Sequence, residues 1–477
     1  MKTNREKQLV KNTIIVAIGK ISTQFISFFL LPLYTAVLST KEYGVVDILN
    51  TYISLLIPLL FLQIDQALFR NLIDVRNEQN EQKRIISTSF ITVTAQTIFI
   101  ILVFFIFQSF IKSEYKWFFI GNIIMAMYSN LFLQISRGQG DNFTYSLGSV
   151  VSGLGTIILN ILTIVVLKWG AYGMLFSILS ANLICSIFLY IRLSLNKLIR
   201  LKSFDITLLK ELWKYSIPLV PNHLSWWIIN ASDRTIITYL LGLSVNGIYS
   251  AANKFSSVCV SFFSIFSLTW SESASLYIHD KDSSVFFSKI INDTIKLFTS
   301  LSYVIISIMP FVFGYLITGK DYSDAYFQIP ILMIATIFNI VVSLFGSIYI
   351  AMKKSGEIAK TSIYSALINI SINLLFINKI GLYAASISTL ISYLSMSIYR
   401  YVDIKKYLRI KLDLKFIICS IIILPIILIS YYLKNIISCG IIFIFVCIIS
   451  LYFNFSIIKG IFLQLKNKNH YLHRGAN

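Results

Sequence analysis

The sequence has few charged residues, and few of those are acidic. Charged side chains make up 13% of its 477 residues, with 21 Asp and Glu against 41 Lys and Arg. A soluble domain usually carries about 25% charged residues. The shortage of charge therefore excludes a sizeable soluble domain, and the shortage of acids leaves a net charge of +20. Because the basic residues cluster between apolar runs, we interpret this charge as membrane topology and not as nucleic-acid binding.

The sequence also lacks the motifs of common enzymes and metal sites. It contains no Walker A phosphate-binding pattern, no HExxH zinc motif and no Cys/His cluster. None of its cysteines forms a CxxC pair, and all five lie in or beside apolar runs: Cys185, Cys259, Cys419, Cys439 and Cys447. We interpret them as small buried hydrophobes. We predict no cofactor, no metal site and no catalytic residue, and hence a protein that is not an enzyme.

Long apolar runs dominate what the sequence does contain. Hydrophobic residues make up 56% of the chain, and the mean hydropathy is +0.76. We predict an all-α integral membrane protein of about 14 transmembrane helices, since runs of about 20 residues suffice to cross a bilayer core of roughly 30 Å. The first run is too long for a signal peptide and is predicted to be retained. The predicted helices lie near 12–38, 43–69, 85–111, 115–136, 145–168, 170–192, 214–241, 246–270, 290–318, 325–352, 359–379, 382–403, 414–434 and 437–460.

The basic residues alternate between the two sides of these helices. With the N-terminus inside, 30 of the 41 Lys and Arg residues fall in segments on the inner side and 7 in outer turns. The remaining four lie within helices: Lys20, Arg234, Lys254 and Lys296. The positive-inside rule then places both termini in the cytoplasm.

The chain repeats itself. Residues 34–50 (YTAVLSTKEYGVVDILN) are similar to 237–253 (ITYLLGLSVNGIYSAAN) at an offset of 203, and residues 168–183 are similar to 379–394. We predict two six-helix lobes, 1–203 and 204–403, followed by two extra helices and a cytoplasmic tail in 404–477. Because six is even, the lobes are parallel repeats related by an axis along the membrane normal.

Four basic side chains at membrane depth are the candidate substrate-binding residues. Arg234 and Lys254 are predicted roughly 10–12 Å below the outer edge, at 1.5 Å per helical residue. Lys20 and His223, which correspond to each other at the offset of 203, are predicted in the inner half. Charges at this depth usually face a protein interior or a water-filled cavity. We expect the four to line a cationic cavity for a phosphate or pyrophosphate group.

Plainer interpretations of these charges stay open. Lys20 and Lys296 could extend to the inner surface, and Arg234 could pair with a carboxylate. Asp233 adjoins Arg234 but lies about 100° around a helix from it. Asp65 is a candidate partner for Lys20 or a carrier of a coupling H⁺ or Na⁺. The membrane potential is a third candidate driving force.

Three segments carry a resemblance to a known family. Residues 31–48, 215–255 and 367–393 resemble the polysaccharide repeat-unit flippases. These are Wzx-like O-antigen and capsule transporters of the multidrug/oligosaccharidyl-lipid/polysaccharide exporter superfamily. The central run YSIPLVPNHLSWWIINASDRTIITYLLGLSVNGIYSAANKF is the most specific part.

This resemblance implies a V-shaped, MATE-like fold in the bacterial cytoplasmic (inner) membrane. It implies that an undecaprenyl-pyrophosphate-linked oligosaccharide is flipped from the cytoplasmic to the outer leaflet for O-antigen, capsule or exopolysaccharide assembly. It carries over charged cavity residues to Arg234 and Lys254. Membrane lipids, a polysaccharide polymerase and a chain-length regulator are the candidate partners.

Two other functions are considered. A cation-coupled multidrug antiporter of the same fold would need acidic cavity residues, whereas this chain places mainly cations there. A membrane polysaccharide polymerase or glycosyltransferase would need a long extracytoplasmic loop or a catalytic domain, and no predicted outer loop exceeds about ten residues.

Overall fold

The structure is a computed structural model that describes residues 28–278, 280, 282–352 and 354–474. It is built from α-helices, with no strand among the described residues. Twelve of the described helices are long and apolar enough to cross a bilayer. The predicted all-α membrane fold is confirmed. The exact count of fourteen stays a prediction, because most of the first predicted helix lies outside the described residues.

The described residues form two compact units. The first contains the residues up to Lys254 together with Gly319–Tyr322, and the second contains Phe255–Thr318 and the residues from Ser323 onward. The lobe boundaries at residues 203 and 403 were inferred from a sequence repeat and stay a prediction.

The first ten helices lie in the first unit. They are α1 (Leu31–Val37), α2 (Thr40–Phe61), α3 (Ile64–Asp74), α4 (Gln79–Phe107), α5 (Lys116–Gly138), α6 (Asn142–Asn160, continued by a π-helical stretch Ile161–Val166), α7 (Gly170–Arg192), α8 (Leu195–Leu198), α9 (Ile206–Ser216) and α10 (Val220–Leu240). Short 3₁₀ turns cover Leu201–Ser203 and Ile217–Leu219.

Helix α11 (Leu243–Tyr277) contributes residues to both units. The remaining helices belong to the second unit and are α12 (Ser283–Leu316), α13 (Ala325–Ala351), α14 (Ser355–Ile380), α15 (Leu382–Ile404), α16 (Leu414–Leu433) and α17 (Ile436–Arg474).

The second predicted helix, 43–69, is wrong as a single element. Leu62 and Gln63 both have left-handed backbone angles, with φ of 52° and 55°, so α2 ends before them and α3 begins after them. Consecutive left-handed residues cannot continue a right-handed helix. The break buries Ile64 and Asp65 at the start of α3. The apolar pattern gives no sign of a helix break at residues 62–63. Pro58 does not mark it either, because that proline lies inside α2.

The start of α10 follows the two prolines of the central run. Pro218 lies in the 3₁₀ turn Ile217–Leu219, and Pro221 occupies the first turn of α10. Proline is tolerated there because the first backbone N–H groups of a helix have no partner within it. The helix therefore begins at Val220 rather than at the predicted residue 214, and α9 covers the amphipathic segment before it.

A buried core organises each unit. In the first unit, side chains of α3, α4, α5 and α9 pack around residues such as Ile64 and Leu68. In the second unit, Trp270 packs against Phe287 and donates a hydrogen bond from its indole Nε1 to the carbonyl oxygen of Leu344, 3.1 Å away. These buried contacts hold neighbouring helices of each unit together.

One arginine counted among the inner-side charges lies inside the second unit instead. Arg400 of α15 is 1% exposed. Its guanidinium donates to Thr361 Oγ1, at 2.8 and 3.0 Å, and to the carbonyl oxygen of Val342, at 2.9 Å. It thus joins α15 to α14 and α13. A guanidinium carries five donors, so neutral oxygens on two neighbouring helices satisfy most of them.

Charged contacts also fix helix ends. Arg84 of α4 pairs with Glu81 and with Asp205, which caps α9, and its hydrogen bonds hold the pKa of Asp205 below the usual value. Lys296 lies 2.5 Å from Asp413, which caps α16, and this hydrogen bond lowers the pKa of Asp413. Lys296 therefore has a defined partner and does not simply extend to the surface.

Candidate functional site

The central feature of the first unit is a close crossing of α2 and α11. An added Cβ on Gly44 would lie 1.9 Å from the carbonyl oxygen of Leu243, and one on Gly247 would lie 2.0 Å from that of Thr40. Both contacts are to backbone, so a side chain at either position would force the helices apart. Gly247 lies inside α11 and not in a turn, because only residues 241 and 242 separate α10 from α11.

The two contacts of this crossing are equivalent under the predicted repeat. Shifting Gly44 by 203 residues gives Gly247, and shifting Thr40 by the same amount gives Leu243. The glycine of α2 therefore approaches α11 at the position equivalent to the one at which the glycine of α11 approaches α2. The similarity of 34–50 to 237–253 has a direct counterpart in the packing.

An acidic residue lies one turn beyond this crossing. Asp47 Oδ2 is 3.2 Å from Arg234 Nε on α10, and the two side chains are 13% and 22% exposed. Ser250 Oγ of α11 donates to Asp47 Oδ1 at 2.6 Å. Asn246 Nδ2 donates to the carbonyl oxygen of Gly44 at 3.1 Å and lies 3.4 Å from Asp47 Oδ2. Three helices thus converge on one carboxylate, and Ser250 occupies the repeat position of Asp47 itself.

Arg234 and Asp233 point to different partners, as their angular separation predicts. The hydroxyl of Tyr249 donates to Asp233 Oδ2 at 2.9 Å, whereas Arg234 contacts Asp47. Lys254 of α11 lies within electrostatic range of both Asp47 and Arg234. The cluster therefore holds two cations and two carboxylates.

The depth of the cluster can be measured along the helices. Arg234 lies six residues before the end of α10, and Asp47 lies seven residues after the start of α2. At 1.5 Å per residue both are about 10 Å from the helix ends that are predicted to face outward. Lys254 follows the start of α11 by eleven residues, which places it about 16 Å from that end and deeper than predicted.

Of the other predicted site residues that the structure describes, His223 and Asp65 lie apart from this cluster. His223 is exposed in the first turn of α10, and it lies within electrostatic range of Asp65. Asp65 is 7% exposed at the start of α3, where Gln66 Nε2 donates to its Oδ2 at 2.7 Å. The positive end of the helix dipole favours an anion at this position. Lys20, the proposed partner of Asp65, lies outside the described residues.

The sequence reasoning missed Asp47. The residue is in the repeat segment 34–50, but a helix predicted to begin at residue 43 leaves it near the first turn, close to the surface. The structure begins α2 at Thr40, where Ser39 and Glu42 form a reciprocal capping box. This S-x-x-E pattern is a recognisable start signal, and its use would have placed Asp47 two turns inside the helix.

A phosphate group that binds at Arg234 would meet a carboxylate partner that is already in place. Asp47 occupies one side of Arg234, so a phosphate oxygen that approaches this guanidinium has to replace or share the carboxylate. Among the side chains that the structure describes, no group of three His, Cys, Asp or Glu residues could hold a metal ion.

Comparison with known proteins places the chain in a family. A family model described as "Polysaccharide biosynthesis protein" matches residues 9–271, more than half of the chain. The chain belongs to this family. The matched region contains Asp47, Arg234 and Lys254. No curated protein sequence matches the chain.

Two solved structures with which the chain shares its fold are a multidrug transporter and a lipid flippase. An inward-facing multidrug resistance MATE family transporter of the MOP superfamily has a TM-score of 0.67 at 14% identity, covering 81% of this chain and 96% of the transporter. The lipid II flippase MurJ, in an inward closed conformation, has a TM-score of 0.63 at 15% identity, covering 95% of this chain and 99% of the flippase. These likenesses confirm the MATE-like fold.

Proposed function

We propose that this protein flips a lipid-linked oligosaccharide across the membrane. The cargo is an undecaprenyl-pyrophosphate-linked repeat unit, moved from the cytoplasmic to the outer leaflet for O-antigen, capsule or exopolysaccharide assembly. Membership of the polysaccharide biosynthesis family and the similarity to the lipid II flippase MurJ support this assignment.

One observation carries the proposal. Arg234 and Lys254 lie on consecutive helices, about 10 and 16 Å from the helix ends that are predicted to face outward, within the region matched by the family. Ionisable side chains within a membrane are costly and usually mark a substrate pathway, even where carboxylates such as Asp47 and Asp233 accompany the cations. A pyrophosphate group carries enough negative charge to engage both, and a guanidinium can bind two of its oxygens at once.

In the proposed mechanism, Asp47 is the partner of Arg234 whenever the site holds no cargo. While no cargo is bound, the carboxylate offsets the charge of Arg234 and is itself held by Ser250 and Asn246. When pyrophosphate arrives, its oxygens take over the guanidinium and Asp47 keeps its two hydrogen bonds to α11. The exchange lets the site alternate between two states without leaving Arg234 uncompensated in either of them.

The driving force belongs to the proposal as well. An inside-negative membrane potential favours outward movement of an anionic headgroup, by about 2.3 kcal/mol per charge at 100 mV. Coupling to H⁺ or Na⁺ is the other candidate, and Asp65 is the residue proposed to carry it. A polysaccharide polymerase and a chain-length regulator are the proposed protein partners.

The deciding experiment is lipid analysis of cells that carry Arg234→Ala or Lys254→Ala in place of the natural protein. We expect undecaprenyl-pyrophosphate-linked oligosaccharide to accumulate on the cytoplasmic face and surface polysaccharide to be lost, with the amount of protein in the membrane unchanged. The sugars of the accumulated lipid would identify the cargo.

Arg70→Ala is the matched control for this experiment. Arg70 also pairs with an aspartate, Asp74, at 2.6 Å, but both side chains are at least half exposed. We expect normal polysaccharide in this variant. Normal polysaccharide in both the Arg234 and the Lys254 variants would refute the proposed role of the cations. New sensitivity to cationic drugs without any lipid accumulation would instead favour the multidrug antiporter.

A further inference from the structure

A polar groove lies at one end of the first unit, away from the Arg234–Asp47 cluster in sequence. Its volume is about 710 Å³. The start of α4 forms one wall, and the segment 193–200, which follows α7, forms the other. This volume is typical of small-molecule sites.

Three cations and no carboxylate are among the described residues that line the groove. Lys83 lies on α4, and Lys197 and Arg200 lie on the opposite wall. Among the described residues none of the three forms an ion pair. Of the acids nearest the groove in sequence, Glu81 and Asp205 pair with Arg84, and the exposed Glu78, which precedes α4, is not among the lining residues. The groove therefore has a net positive charge, and the positive end of the α4 dipole adds to it.

The walls of the groove are held in place by buried polar contacts. The hydroxyl of Ser87, a fully buried residue of α4, donates to the carbonyl oxygen of Leu198 at 3.1 Å and accepts from the backbone N–H of Arg200 at 2.9 Å. Gln139 Nε2 donates to Gln82 Oε1 at 3.1 Å, and both side chains line the groove. The backbone of the second wall is thus fixed to α4, so the cations lie along a defined groove.

The surroundings of the groove indicate a lipid rather than a soluble anion. Helix α4 has 29 residues and is about 43 Å long, which exceeds the roughly 30 Å core of a bilayer, so its polar first turn reaches the headgroup region. Next to the groove, Leu201 is 80% exposed and Ile191 is 70% exposed. Exposed apolar side chains beside cations suit a ligand with a charged head and an apolar tail.

We propose that this groove binds the phosphate headgroup of an anionic membrane phospholipid, with Lys83, Lys197 and Arg200 contacting the phosphate. The acyl chains lie along the exposed apolar side chains next to it. The lipid belongs to the leaflet on the predicted cytoplasmic side, and it stabilises the α4 end of the first unit. The site does not depend on the proposed transport function, since it involves neither Arg234 nor Lys254.

The test compares two triple variants of the purified full-length protein. K83Q/K197Q/R200Q removes the groove cations. K210Q/R409Q/K415Q removes two lysines and one arginine that are exposed and form no ion pair among the described residues. Binding of phosphatidylglycerol and of phosphatidylcholine is measured by native mass spectrometry and by the shift in Tm in detergent.

We expect phosphatidylglycerol to bind and stabilise the natural protein and the control variant alike. The groove variant should lose about a hundredfold in affinity, since each basic residue near an anionic lipid contributes roughly fivefold. Phosphatidylcholine should have little effect on any of the three. If the groove variant does not fold, K197Q/R200Q changes only exposed side chains and should still lose about 25-fold on the same basis.

Two outcomes would overturn the proposal. Equal losses in the groove and control variants would mean that phosphatidylglycerol responds only to overall charge. Binding of inorganic pyrophosphate that is as strong as that of the lipid, and as sensitive to the groove substitutions, would make the ligand a soluble anion.

Discussion

At the scale of single residues, the sequence revealed the cations but not their counter-ion. A basic residue inside an apolar run is conspicuous, so Arg234 and Lys254 could be selected without a structure. Asp47 was harder, because its importance depends on where α2 begins and on a contact with a helix far away in the sequence. The partner of a buried charge is set by the packing of helices, and no local pattern encodes it.

The Asp47→Asn variant tests this pairing. The change leaves Arg234 and Lys254 without the carboxylate that both face, while the side chain keeps nearly the same shape. Removing one partner of a buried pair costs about 3–5 kcal/mol, and because this pair is partly exposed we expect about 2 kcal/mol. The free energy of unfolding in detergent measures it, and adding Arg234→Gln to the same chain should restore part of the loss.

Asp74→Asn is the control for that prediction. Asp74 pairs with Arg70 on an exposed face, and such pairs contribute about 0–1 kcal/mol. Equal losses of stability in the Asp47 and Asp74 variants would show that the buried ion pair contributes no more to the free energy of unfolding than the exposed one.

At the scale of helices, the two segments that the sequence repeat relates, 34–50 and 237–253, contact each other in the structure. Gly44 and Gly247 were part of a similarity in sequence, and they meet each other's helix at equivalent points. The break at Leu62 and Gln63 could not be predicted, because both residues are compatible with a continuous apolar helix. Such a break is fixed by the packing of α3 in the core and not by local preference.

Gly44→Ala and Gly247→Ala test the crossing. Each new methyl group would meet a backbone carbonyl oxygen at about 2 Å, which backbone shifts must relieve. Overpacking of this kind costs about 1–3 kcal/mol, and we expect the upper part of the range because the obstacle is backbone. The change in Tm of each purified variant is the measurement.

Gly314→Ala and Gly356→Ala are suitable controls, because an added Cβ meets nothing within 4 Å at either position. In a helix, alanine is favoured over glycine by up to about 1 kcal/mol, so these variants should be unchanged or more stable. A crossing variant as stable as the controls would mean that the helices separate without cost.

At the scale of the whole molecule, hydropathy predicted most of the membrane spans. Twelve described helices meet the length and composition of a span, and α10 is not among them. Its sequence contains His223, Asp233 and Arg234, the same kind of polar residues that form the candidate site. The polar residues of the candidate site therefore weaken the hydropathy signal of α10, and the predicted side of every later loop depends on whether this helix crosses the bilayer.

The side of the membrane on which each loop lies tests whether α10 crosses the bilayer. If it does, Ser113 and Asp321 lie on the outer face and Lys202 and Asp280 on the inner face, and the excess of Lys and Arg stays on one side throughout. If it does not, every loop after α10 changes sides, and the positive-inside pattern fails in the second half of the chain.

Single cysteines at these four positions, in a chain whose five natural cysteines are replaced by alanine, can be labelled in intact cells with a membrane-impermeant maleimide. We expect labelling at residues 113 and 321, and labelling at 202 and 280 only after the membrane is permeabilised. The chain without cysteines gives the background. Labelling of residues 113 and 321 from opposite faces would mean that α10 does not span the bilayer, which would remove Arg234 from membrane depth and with it the physical reason to assign a cargo to that residue.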